Sequence, residues 1–84
     1  MPVISRFYGM IVKMYFRQKE HNPPHIHVID GEKAGTFNLC DGEMSEGDIH
    51  SKEQEIIKRY VMYYKHELLQ MWETQEFRKL EPIE

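Results

Sequence analysis

Eighty-four residues are enough for one domain, residues 1–84, and too few for two with separate cores. With 40% apolar, 12% aromatic and 30% charged residues the chain is globular in composition, which argues against disorder. Cys40 is the only cysteine, which excludes an internal disulfide and a cysteine-based zinc knuckle, and the net charge of −3 argues against general attraction to nucleic acid.

Val3 to Phe7 reads as a possible first strand, and Gly9 to Phe16 as a strand rich in β-formers. Arg17 to Pro24 is polar, closes on Asn22-Pro23-Pro24, and reads as a loop. His25 to Asp30 alternates and ends at Asp30-Gly31, a hairpin turn signal. Ala34 to Leu39 is a further strand stopped by Asp41-Gly42, and Glu43 to Gly47 a weak edge strand. The expected sheet is antiparallel, with about four strands.

After residue 50 the period changes. Ser51 with Gln54 fits a capping box, and Glu53 and Glu55 suit the positive end of the helix dipole. Ile57, Tyr60, Val61, Tyr64, Leu68, Met71 and Trp72 recur at helical spacing and form one apolar stripe, which should pack on the sheet. One long helix, or two with a break near Lys65-His66, both satisfy that pattern. Lys79 to Glu84, with Pro82, is expected to fray. The fold class is therefore α+β, an antiparallel sheet with C-terminal helix on one face. No secretory leader or membrane-length apolar run is read, so the expected location is cytoplasmic.

Side chains alternate along a strand, so Val12, Met14 and Phe16 oppose Lys13, Tyr15 and Arg17, while Ile26 and Val28 oppose His25 and His27. Phe37 and Leu39 likewise oppose Thr36 and Asn38. If the apolar sets lie under the helix, then Lys13, Tyr15, Arg17, His25, His27, Thr36 and Asn38 share the other face. Charge is also uneven: residues 1–38 carry a net +2 and hold three of the five histidines, while residues 39–84 carry −5. That permits a local anion or RNA site.

The segments Met1-Pro-Val-Ile-Ser-Arg-Phe-Tyr-Gly9 and His21-Asn-Pro-Pro-His-Ile-His-Val28 resemble an uncharacterised family of short bacterial proteins, known only as a domain of unknown function. Gly31, Gly42, Gly47, His66, Glu67, Leu68 and Trp72 match it as well. The family's gene context resembles a toxin–antitoxin pair. The resemblance therefore implies a small partner protein, a cognate antitoxin or toxin.

Three readings of the residues stand side by side. RNA cleavage needs proton carriers and a cation, roles that His25, His27 and Arg17 suit as catalytic candidates. Lys13, Tyr15, Arg6 and His21 are then ligand-binding candidates, with Tyr15 able to stack on a base. Alternatively the chain is a non-enzymatic protein-interaction module, an antitoxin or regulator. Thirdly, His25 and His27, with His21 or Asp30, chelate a metal; two imidazoles alone are an incomplete site, so no metal ligand and no cofactor is assigned. Arg6 either reaches a ligand or pairs with a C-terminal carboxylate. Cys40 is expected to be an inert small hydrophobe at a strand end. Met62 and Leu69 lie outside the helical stripe, as scattered surface residues or as part of a partner interface.

Overall fold

The computed structural model describes residues 3–15 and 23–81. Five strands are present among them: β1 (Val3–Phe7), β2 (Met10–Lys13), β3 (His25–Asp30), β4 (Lys33–Asn38) and β5 (Met44–Gly47). They form one antiparallel meander in the order β1-β2-β3-β4-β5. The count exceeds the expected four because both weak candidates, the first and the last, pair at the two edges. Two helices follow, α1 (Ser51–Tyr63) and α2 (Lys65–Thr74).

Local chemistry explains the turns. Tyr8 and Gly9 link β1 to β2 with φ of 53° and 76°, so both central residues are left-handed, as a tight hairpin with right-handed strand twist requires. Gly31, at φ 65°, opens the two-residue turn between β3 and β4. Asn38 shapes the next turn: its Oδ1 accepts from the Cys40 backbone N–H at 2.8 Å. Cys40 is exposed there, just past the end of β4. The turn is clamped from the helices by Lys58, 2.6 Å from Glu43, and by Lys65, which donates to the Cys40 carbonyl at 2.9 Å. The exposed Glu43 bond raises the Lys58 pKa.

The start of α1 departs from the expected capping box. His50 precedes the helix in extended conformation and makes no side-chain cap, so Ser51 is already inside the first turn. Gln54 instead donates its side-chain amide to the Ile49 carbonyl at 2.7 Å. Glu53 stands in the first turn, as the dipole favours. At Tyr64 the helix bends (φ −102°, ψ 18°), but the ladder continues through Tyr64 N–H to the Tyr60 carbonyl and Leu68 N–H to the Tyr64 carbonyl. The break is thus a kink, one residue before the expected position.

One core joins sheet and helices. Val12, Met14, Ile26, Val28, Phe37 and Leu39 are buried with Ile57, Tyr60, Val61, Leu68, Met71 and Trp72, so the helical stripe covers one sheet face. Tyr64 is only half-buried, and Leu69, expected outside the stripe, packs against the core's margin. Phe16 and Pro82 lie outside the described residues.

The C-terminal segment as far as Glu81 is tied down rather than frayed. Leu80 donates its backbone N–H to the Ile4 carbonyl at 2.7 Å, and its own carbonyl accepts from Ser5 Oγ at 2.8 Å. Tyr64 Oη donates to the Glu81 carbonyl at 2.7 Å. These bonds, with burial of the Leu80 side chain, offset the entropy of ordering the segment. No helix among the described residues is long and apolar enough to cross a membrane.

Candidate functional site

Residues directly opposite in an antiparallel pair share a face, so the register defines the surface turned away from the helices. Lys13 pairs with His27, His27 with Thr36, and Thr36 with Glu46. These four form a continuous row across β2, β3, β4 and β5. A second row runs Arg6, Ile11, Ile29 and Ala34, and a third joins His25 to Asn38. The alternation expected from the sequence therefore places Lys13, His25, His27, Thr36 and Asn38 on one open face.

Tyr15 follows β2 and folds over this face. Its ring meets that of His27 edge-on, with centroids 4.4 Å apart. The rings of His25 and His27 are also in edge contact, at 5.2 Å and 73°. His25 Nδ1 lies 2.7 Å from the Pro23 carbonyl. A carbonyl only accepts, so Nδ1 carries a proton, and Nε2 holds the lone pair in the neutral ring. The dipeptide Pro23-Pro24 thus orients His25, whose ring in turn supports His27.

Tyr15, His27, Thr36 and Glu46 open onto a cleft of about 340 Å³, with Ile29 and Ala34 as an apolar wall. That volume falls in the range of small-ligand sites. Glu46 is brought here by the end of β5. Gly47 adopts φ 130°, and a Cβ on it would stand 2.4 Å from both the Ala34 carbonyl oxygen and the Gly35 Cα. Only glycine allows β5 to lie this close. Next to it, Asp48 accepts the Ala34 N–H through Oδ1 at 3.0 Å and returns its own N–H to the Ala34 carbonyl at 3.0 Å.

The site so built differs in membership from the expected one. Lys13, Tyr15, His25 and His27 come together. Arg6 is exposed one row away, and the C-terminal carboxylate expected to pair with it lies outside the described residues, as do Arg17 and His21. Asn38 is committed to its turn. Among the described residues no group of three or more His, Cys, Asp or Glu side chains is placed to hold a metal. Glu46 is the residue the sequence reading missed. Its segment has no strong alternation, and its face follows only from pairing with Thr36, since strict alternation along β5 would set it on the core side with Met44, two places away.

A family model described as a domain of unknown function, DUF4160, matches residues 9–73. The match includes the cleft residues and most of both helices, and leaves out the opening Met1 to Tyr8. No curated protein and no solved structure is significantly similar to the chain. The match spans well over half of the sequence, and the chain belongs to the DUF4160 family of domains of unknown function.

Proposed function

We propose that this protein binds and acts on single-stranded RNA through the open sheet face, as one member of a toxin–antitoxin-like pair with a small partner protein. The observation that carries the reading is the row Lys13, His27, Thr36 and Glu46, with the Tyr15 ring packed on His27 beside the cleft. It supplies a cation for phosphate, an imidazole for proton transfer and an aromatic ring for a base, the groups that single-strand recognition uses. The partner and the bacterial setting come from the resemblance of the two sequence motifs.

In the proposed reaction the ribose 2′-oxygen loses its proton to His27 and attacks the adjacent phosphorus. The bond from phosphorus to the 5′-oxygen breaks, leaving a 2′,3′-cyclic phosphate. The imidazolium returns the proton, through water, to the leaving 5′-oxygen. Lys13 and Arg17 offset the charge that develops on phosphorus oxygens. His25 is given a positioning role, since an in-line displacement needs its two proton carriers on opposite sides of phosphorus. Two rings in edge contact stand on the same side.

Induced expression in a bacterial host tests this. His27→Gln and Arg17→Gln should abolish growth inhibition and RNA cleavage, with a loss of about 10²–10⁴ in rate, while the urea midpoint stays unchanged. His66→Gln, on the exposed face of α2, should keep activity. Full toxicity of His27→Gln would refute the catalytic role. A protein-interaction module is the second reading, favoured by Met62 and Tyr63, which are 48% and 71% exposed side by side on α1. Loss of partner binding in Met62→Asp, with toxicity intact in the His27 variant, would establish it.

A further inference from the structure

The row across the open face is polar from end to end. Lys13 lies at one side, His27 and Thr36 between, and the exposed Glu46 at the other. Four adjacent strands place its ends roughly 14 Å apart, the span of one nucleotide with a hydrogen bond at each extremity. Only one orientation suits a nucleotide laid along it. Phosphate belongs at Lys13, because Glu46 repels it; the ribose then lies over His27 and the base enters the cleft beside Thr36 and Glu46.

The chemistry of the cleft's far end then selects among bases. An ionised carboxylate only accepts hydrogen bonds. On its Watson–Crick edge guanine presents two adjacent donors, N1–H and the N2 amino group. Adenine and cytosine each present one donor beside an acceptor, and uracil one donor between two acceptors. An acceptor turned toward a carboxylate is repelled. Guanine is the one base whose edge a single carboxylate can pair with bidentately, and in single-stranded RNA that edge is open.

We infer that Glu46 is a base-reading residue and that the cleft takes guanine, so that the RNA bound by this face is selected for a G at the His27 position. The inference rests on the RNA reading of the same face. Gly47 and Asp48 act as positioning residues, since the close approach of β5 and its latch to Ala34 hold the carboxylate at the cleft.

Fluorescence anisotropy with four labelled pentamers, UUGUU, UUAUU, UUCUU and UUUUU, separates the two levels. The wild-type protein should bind UUGUU about tenfold more tightly than the others, as one bidentate contact to a base confers. Glu46→Gln, which puts a donor amide in place of one carboxylate oxygen, should abolish that preference, because an acceptor beside a donor no longer matches the two guanine donors and suits the adenine edge instead. Equal binding of all four pentamers by the wild type would overturn the guanine assignment while the RNA reading stands. A guanine preference that survives in Glu46→Gln would overturn the role of Glu46. Absence of binding to any pentamer would overturn both the inference and the reading beneath it.

Discussion

The imidazole of His25 lies 5.0 Å from the indole of Trp72, tilted by 53°, so the candidate site and the helix–sheet core share a wall. Trp72 is fully buried at the end of α2, and among the described residues its Nε1 has no hydrogen-bond partner. His25 in turn touches His27, which touches Tyr15. A chain of ring contacts therefore runs from the core to the mouth of the cleft.

Truncating this wall should be costly. Trp72→Ala is expected to lose roughly 3–5 kcal/mol, a large share of the stability of so small a domain. Trp72→Phe should cost less than half as much, because it leaves a smaller cavity and removes a buried donor that lacks a partner. Gln70→Ala, exposed on the same helix, should be nearly silent. Urea melts of the three variants decide the matter; a cooperative Trp72→Ala melt close to wild type would refute the core role.

Ser5 and Tyr60 form a second buried unit. Ser5 Oγ donates to the Leu80 carbonyl, so at 2.5 Å the Tyr60 hydroxyl must donate to Ser5 Oγ. Ser5→Ala strips a partner from both neighbours, whereas Tyr60→Phe leaves the Ser5 to Leu80 bond intact. We expect Ser5→Ala to cost about 2–4 kcal/mol and Tyr60→Phe about 1 kcal/mol. Ser5→Ala should also speed amide exchange at Leu80. The reverse order of stabilities would show that the network does not hold the tail.

Alkali should expose the same residue. Burial pushes the Tyr60 pKa up from 10.0 to about 12. Between those values the unfolded chain has released its phenolic proton and the folded chain has kept it. The unfolded state then binds fewer protons, so stability falls as pH rises, by up to roughly 2–3 kcal/mol across the interval. Tyr64, also raised by desolvation first, acts with the same sign. Melts at pH 9, 10, 11 and 12 should show a loss that Tyr60→Phe largely removes. An equal slope in that variant would assign the loss to other groups.

Two glycines make a contrasting pair. Gly9, at φ 76°, has nothing within 4 Å of a Cβ position, so Gly9→Ala should cost only the left-handed backbone penalty of about 1–2 kcal/mol. Gly47→Ala meets backbone atoms of Ala34 and Gly35 and must push β5 from β4. It should destabilise the protein by more than Gly9→Ala and open the Ala34 and Asp48 amides to exchange. Comparable melts for the two would mean that β5 yields without cost.

The sequence by itself determined the strongly periodic parts. Alternation at Ile26 to Val28 and the helical spacing from Ile57 to Trp72 specified an α+β chain and sorted two faces, because side-chain direction follows from strand and helix geometry alone. Lys13, His25, His27 and Thr36 were legible on the open face for that reason. Tertiary structure alone decided the rest. The face shown by Glu46 depends on a register shift between β4 and β5 at Thr36/Phe37, a property of the pair and not of either segment. The ordering of Leu80 depends on Ile4 and Ser5, some 75 residues away in sequence. The contact of His25 with Trp72 likewise joins residues with no local relation. A periodic pattern records what one segment does against a generic surface. Partners distant in the chain are chosen by close packing and hydrogen-bond satisfaction, and these act only once the elements have met.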